Sequence, residues 1–402
     1  MKRHAFRRVA DDAGRADVLD RNCRPAYFDH HATTPVDPRV RVAMHPYLDE
    51  LFGNAGSAEH RYGWQAQAAV EGARRQVAQL VGVHPQEVIF TSGATEANNL
   101  ALLGAETGPR RHIITTSIEH ASVLACAAEH VRRGGSVTYL PVECDGRVDP
   151  RKCADAIRAD TGLISLALAN HEIGSIQPVE DIGLLAKRHD ILLHVDAAQA
   201  AGRMPVSQAA LRADFISLSA HKIYGPQGIG ALIVARKARE QIRPILFGGG
   251  QERGLRPGTL PVPLIVGFGA AAELATDALA EEPPRVAALR DLLLDGLRAI
   301  PGIRVHGGLR HRLAGNLNVG WPGLLPRDLI YLLRDDVAMS SGSACGSGIL
   351  HPSPVLRAIG LSEEQALQAL RIGLGRFNTQ EEVSAAARAI VRAAEILREG
   401  EA

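Results

Sequence analysis

Residues 214–235 read "DFISLSAHKIYGPQGIGALIVA". The flanking runs "DFISLS" and "GALIVA" are short, apolar and rich in Ile, Val and Phe, which suits two buried strands joined by a tight turn. Lys222 leaves the first of these strands close to the core. A loop lysine is most often a solvated surface charge. Here Ser219 and His221 stand ready to donate hydrogen bonds, and Gly225, Gly228 and Gly230 let the backbone come close to a ligand. A lysine partly desolvated in such a pocket loses its proton more readily and can form a Schiff base with a carbonyl. A dinucleotide loop does not fit, because the glycines run G-x-x-G-x-G and a strand, not a helix, follows them.

Outward from this stretch, helical patterns such as "WQAQAAVEGARRQVAQLVG" alternate with "EVIFTS", "HIITTS", "LISLALA" and "ILLHVDA" between about residues 65 and 260. That alternation predicts an α/β fold with a mostly parallel sheet covered by helices on both faces. Beyond "PGTLPVPLIVG" the pattern changes to one long helical stretch over 262–299, then the short runs "GIRVHGG", "GNLNVGW" and "VAMSSGSAC", then helix from about 380. We expect a smaller α+β C-terminal domain there. The expected division is an N-terminal extension over 1–26, a large domain over 27–265 whose first segment joins the small one, and a small domain over 266–402.

Composition narrows the functional classes. The chain has 402 residues, 46% of them hydrophobic, and a formal net charge of +1, so it carries no large basic field of the kind that drives nucleic-acid binding. We expect no direct nucleic-acid contact. The five cysteines, Cys23, Cys126, Cys144, Cys153 and Cys345, are odd in number, scattered and without a C-x-x-C pair, which argues against a disulfide framework or a zinc site. A reduced, cytoplasmic setting is expected. The first 25 residues lack an apolar core and read as a loose extension, not a signal peptide. No stretch is long enough to span a membrane.

In open parallel sheets ligands bind at the carboxyl ends of the strands, and the polar clusters fall there. "TSGATE" (91–96) follows a strand and opens a helix, so Gly93, Ala94 and Thr95 can present backbone N–H groups and a hydroxyl to a phosphate, although an ordinary helix cap explains the motif alone. "HVDAAQ" (194–199) ends a strand with Asp196 and Gln199, and a carboxylate directly after apolar positions calls for a cationic partner such as a protonated ring nitrogen. "SIEH" (117–120) ends another with His120, placed to stack on a flat ring, and "NHEIG" (170–174) does the same with Asn170 and His171. Together these meet the needs of pyridoxal phosphate: an aldehyde for Lys222, a phosphate for Thr95, Ser219 and His221, and a pyridinium for Asp196.

The sequence also resembles the cysteine desulfurases, pyridoxal phosphate enzymes with the fold-type I aminotransferase-like architecture. The likeness runs from "YFDHHATTPVDPRV" at residue 27 to "RIGLGRFNTQEEV" ending at 383, through "FGNAGSAEHRYG", "FTSGATEANN", "HVDAAQAAG", "SAHKIYGPQGIGAL", "GGGQERGLRPGTLPVPLIVG" and "SSGSACGSG". The resemblance implies that Lys222 carries the cofactor as a Schiff base, Asp196 holds its ring nitrogen, His120 stacks on the ring and Gln199 reaches its phenolic oxygen. It gives the phosphate to Ala94, Thr95, Ser219 and His221, with Thr259 of the partner subunit of a homodimer. The nucleophile is Cys345, on a loop whose Ser, Gly and Ala neighbours match the long-loop branch. Arg371 matches the arginine for the carboxylate of L-cysteine, a bidentate task that suits guanidinium, and Asn54 matches a polar residue near the substrate.

Two departures from the family pattern stand out. His171 occupies a position where the family often has asparagine against the phenolic oxygen, and imidazole can donate the same hydrogen bond. The chain ends in "LREGEA", where members that feed an iron–sulfur scaffold continue into a further tail. The sulfur acceptor stays open among an iron–sulfur scaffold, a transfer RNA thiolase, a DNA phosphorothioation system and a biosynthetic carrier. Another class V aminotransferase or lyase remains the alternative activity, and it would need no cysteine loop.

Overall fold

The computed structural model describes residues 24–341 and 351–399. Its strands, numbered along the chain, are β1 (Ala26–Tyr27), β2 (Val88–Thr91), β3 (His112–Thr116), β4 (Ser136–Leu140), β5 (Thr161–Ala167), β6 (Leu192–Asp196), β7 (Phe215–Ser219), β8 (Gly230–Val234), β9 (Arg304–Val305), β10 (Asn316–Gly320), β11 (Val337–Ala338) and β12 (Ala369–Gly373). Seven of them form the large sheet in the order β2-β8-β7-β6-β5-β3-β4. Only β8 runs against its neighbours, and it meets β7 across the connection over 220–229, which opens with the turn Ala220–Lys222 and is longer than the tight turn expected between these strands. The parallel pairs need crossovers: Ala121–Arg132 lies between β3 and β4, Val179–Arg188 between β5 and β6, and the short helix Gln208–Leu211 between β6 and β7.

The strands read as nearly continuous apolar runs because both faces are covered. On β6, Leu192 packs with Leu100, Ala101 and Val123 of one helical layer. Its neighbours Leu193 and Val195 point to the opposite layer, with Val70, Val77, Ile182, Ile265 and Phe268. Each such buried side chain contributes roughly 1.5–3 kcal/mol. The helices Arg61–Leu80 and Val262–Ala278 lie against one another so closely that a Cβ on Gly269 would sit 2.6 Å from the Ala73 Cα.

A second core gathers Phe28, Val286, Leu293, Leu317, Trp321, Ile372 and Ile390 around an antiparallel sheet, β12-β10-β9, with β1 and β11 paired in parallel beside it. One expectation needs correction. The stretch over 262–299 is two helices, Val262–Ala278 and Glu282–Leu297, bent by 77°. Pro283 and Pro284 account for the break, since proline fits the first turn of a helix but not its interior. The first of these helices packs into the large core and the second into the small one.

Strands β2, β3, β5, β6 and β7 point the same way, so Thr91, Thr116, Ala167, Asp196 and Ser219 end at one edge of the sheet. The polar clusters seen in the sequence therefore meet there.

Candidate active site

Lys222 closes a single turn, Ala220–Lys222, directly after β7. Its amine donates to the carbonyl oxygens of His31 and Ala32, the latter at 2.7 Å. Burial lowers its pKa to about 7, the cations Arg203 and Arg371 add to the effect, and Asp29 and Asp196 oppose it. Near neutral pH much of the amine is therefore in the nucleophilic, uncharged form.

Asp196 ends β6. Its carboxylate accepts from Asn98 Nδ2 at 2.8 Å and from the Ala198 N–H at 3.0 Å, and no ion pair involves it among the described residues. Asn98 also donates to Ser122 Oγ at 2.9 Å, which lies 2.8 Å from His120 Nδ1, so one polar chain joins Asp196 to His120. The His120 ring meets His171 edge-on, with centroids 5.4 Å apart. Burial lowers the pKa of both imidazoles, that of His171 to about 3, which leaves them neutral near pH 7.

Gln199 donates through Nε2 to the His31 carbonyl at 2.9 Å. His221 shares a hydrogen bond with Thr33 Oγ1 at 3.0 Å, and burial lowers its pKa to about 4. Ser219 faces the turn that starts the helix Ala94–Gly104: a Cβ on Gly93 would lie 4.0 Å from Ser219 Oγ, and one on Gly230 only 2.7 Å from the Gly93 Cα. Gly93, at φ +155° and ψ −179°, adopts a conformation open essentially to glycine. It caps the helix without a side-chain acceptor, and a helix start of this kind can receive an anion at the N–H groups of Ala94 and Thr95.

From the small sheet, Arg371 on β12 reaches the same pocket. It pairs with Asp29 at 2.8 Å and donates to the His171 carbonyl at 3.3 Å, while its buried Nε has no partner. Burial raises the pKa of Asp29 even against Arg371.

These residues fit pyridoxal phosphate. The same edge of the sheet carries a carboxylate without an ion-pair partner, a helix start without a side-chain cap beside a serine, and a lysine of lowered pKa, and the buried atoms Asn98 Oδ1 and His31 Nε2 have no partner. Asn54 and Thr259 join a different group. Asn54 lines a depression of about 250 Å³ with Arg74, Gln251, Glu252 and Leu260, and Thr259 is exposed beside it. Cys345 lies outside the described residues.

The segment over 29–34 also belongs to the site, with no role expected for it from residue type: Asp29, His31, Ala32 and Thr33 contact Arg371, Gln199, Lys222 and His221. The signal was the polar "DHHATT" following an apolar dipeptide. Asn98 and Arg203 were missed as well. Asn98 sits inside a helix pattern, and Arg203 in a turn where an arginine is ordinarily solvated.

The aminotransferase class-V family model matches residues 26–386. A cysteine desulfurase IscS from Anaeromyxobacter sp. (strain Fw109-5) is 49% identical over 379 residues, spanning 93% of this chain and 94% of that protein. A solved NifS-like protein superposes with a TM-score of 0.85 at 38% identity, covering 94% of this chain and 100% of that one. A structure of SspA in complex with cysteine gives a TM-score of 0.78 at 36% identity over 88% of this chain and 100% of that one. The chain belongs to the aminotransferase class V family, among its cysteine desulfurases.

Proposed function

We propose that the protein takes the sulfur atom from L-cysteine and releases L-alanine, using pyridoxal phosphate held at Lys222. The observation that carries this reading is the Lys222 amine, which donates to the carbonyls of His31 and Ala32, has its pKa lowered to about 7 by burial, and feels the charges of both Asp196 and Arg371. Asp196 would hold the ring nitrogen, His120 would stack on the ring, Gln199 and His171 would donate to the phenolic oxygen, and Ala94, Thr95, Ser219 and His221 would hold the phosphate. When bound, the cofactor draws electrons away from the substrate α-carbon.

Arg371 orients the substrate carboxylate, and the neutral Lys222 amine takes the α-proton. The thiolate of Cys345 attacks the substrate sulfur. A new S–S bond forms as the carbon–sulfur bond breaks, and its electron pair stays with the three-carbon fragment, which gains protons and leaves as alanine. The persulfide left on Cys345 then passes to an acceptor protein. The cysteine-bound SspA neighbour supports the substrate. We further propose a cytoplasmic homodimer in which Thr259 of the partner subunit completes the phosphate site. Among the described residues no single helix is long and apolar enough to cross a membrane.

Incubation with L-cysteine tests the reading. Alanine and persulfide sulfur in equal amounts support it. A keto acid without sulfur transfer would instead indicate an aminotransferase.

A further inference from the structure

We propose that Arg203 is a positioning residue of this site: its unpaired positive charge acts on Lys222, and its fork of donors orients Gln199 and the backbone at residues 30–31. The inference rests on Lys222 being the cofactor lysine.

Arg203 donates through one nitrogen to the His30 carbonyl at 2.6 Å and the Lys222 carbonyl at 3.3 Å. Through the other it donates to Gln199 Oε1 at 2.5 Å and to the Gln199 carbonyl at 3.4 Å, and it lies 3.1 Å from His31 Nδ1. Every partner is neutral. The other arginines around the site hold carboxylates: Arg371 pairs with Asp29, and Arg376 with Asp37 and Glu282. Arg203 holds none among the described residues, and only the more distant Glu282 acts on it as an opposite charge besides Tyr224. A half-buried guanidinium whose hydrogen-bond partners are all neutral is costly to keep, which asks for a role.

The geometry provides two. Guanidinium only donates, so Gln199 must turn its oxygen toward Arg203. That leaves Nε2 as the end that can donate elsewhere, with one hydrogen already on the His31 carbonyl and a second free for the phenolic oxygen of the cofactor.

The second role is electrostatic. Lys222 and Arg203 meet the same short segment, Lys222 at the carbonyls of His31 and Ala32 and Arg203 at residues 30 and 31. Like charges so placed disfavour the protonated amine. Four charged groups act on Lys222: Arg203 and Arg371 against its proton, Asp29 and Asp196 for it. Arg371 is offset by its own partner Asp29, so Arg203 is the cation left uncompensated. The imidazoles of His31, His120, His171 and His221 also face this region, and burial keeps each below its usual pKa.

Competitive acetylation of the full chain, freed of cofactor, reads the Lys222 ionisation directly. Limiting acetic anhydride is applied across neutral pH, and the Lys222 peptide is quantified by mass spectrometry against the solvent-exposed Lys152 and Lys237 as internal standards. In the wild type, half-maximal labelling is expected near pH 7. In Arg203→Met and Arg203→Gln the midpoint rises by about one pH unit or more: at an effective dielectric of about 20 one unit corresponds to unit charges roughly 12 Å apart, and these two meet closer than that, on either side of His31. Arg203→Lys keeps the charge and stays close to the wild type. A folded neutral variant with the wild-type midpoint overturns the proposal. If neither neutral variant folds, Arg203→Lys decides alone, and a rise of a full unit with the charge retained overturns it. Borohydride reduction of the cofactor-loaded protein separates this outcome from the assignment of Lys222: an adduct on another lysine sinks that assignment and leaves the labelling result standing.

Discussion

Replacing Asp196 by asparagine keeps the shape of the side chain and removes its charge. In the protein without cofactor the carboxylate accepts from Asn98 Nδ2 and from the Ala198 N–H. Asparagine can still accept from Ala198, but its new amide nitrogen then confronts the Asn98 amide nitrogen. The buried Asn98 Oδ1 has no partner, so a flip of that amide turns an acceptor toward the new donor. The flip disturbs the Ser122 contact, so the net stability loss is about one hydrogen bond, roughly 1 kcal/mol. Against a protonated ring nitrogen the loss is larger. A hydrogen bond to a charged group is worth about 1.5–3 kcal/mol, which corresponds to roughly a 10- to 150-fold weaker hold on the cofactor. The assay is titration of the stripped full chain with pyridoxal phosphate, followed by absorbance, beside urea unfolding of the same samples. Unchanged cofactor affinity would refute the assignment. Gross loss of stability without cofactor would show that Asp196 is a structural carboxylate.

The other predictions concern separate parts of the account. Cys345→Ser is expected to bind cofactor normally while alanine formation falls on the order of a hundredfold or more, because the hydroxyl is a far weaker nucleophile at neutral pH; persulfide mapped to Cys126 or Cys153 would place the nucleophile elsewhere. Those two thiols are buried, and burial pushes each up to about 11, which argues against them. Thr259→Ala is expected to weaken cofactor binding by about 1 kcal/mol or somewhat more. Sedimentation should show a dimer, and a fully active monomer would rule out the shared phosphate site. Glu119 bridges Thr116 and the Ala167 N–H, and burial raises its pKa from 4.5 to about 8. A group raised in this way contributes stability that is complete below pH 4.5 and is lost as pH rises through 8, about 2 kcal/mol of it between roughly pH 6 and 8. Glu119→Gln should remove that part of the pH dependence from the urea midpoint, and an identical dependence in the variant would contradict it.

Local pattern revealed the sheet and the strand-end residues because both are written in short windows. The alternation around "ILLHVDA" and the glycine turn after Lys222 need only neighbours along the chain. The rest depends on contacts between distant positions: Lys222 with Ala32 across 190 residues, and Arg371 with Asp29 across 342. No periodicity announces those. The segment over 248–261, open to reading as a solvated linker, is anchored by Glu252, which holds Arg74 in a buried two-point pair at 2.7 and 2.8 Å and accepts from the Phe90 N–H. Glu252 and Arg253 adopt φ of +45° and +59° there, a conformation that sequence favours in glycine and that tertiary anchoring imposes on these two.

The central claim is that Lys222 carries the cofactor that converts cysteine to alanine. The chain has five lysines, Lys2, Lys152, Lys187, Lys222 and Lys237, so one peptide map distinguishes them. The decisive measurement is borohydride reduction of the protein loaded with pyridoxal phosphate, followed by peptide mapping, with alanine formation from L-cysteine measured in parallel for the wild type and Lys222→Ala. The account predicts a single phosphopyridoxyl adduct on Lys222 and alanine from the wild type, with neither from the variant. An adduct on another lysine, or alanine formed by Lys222→Ala at the wild-type rate, would contradict it.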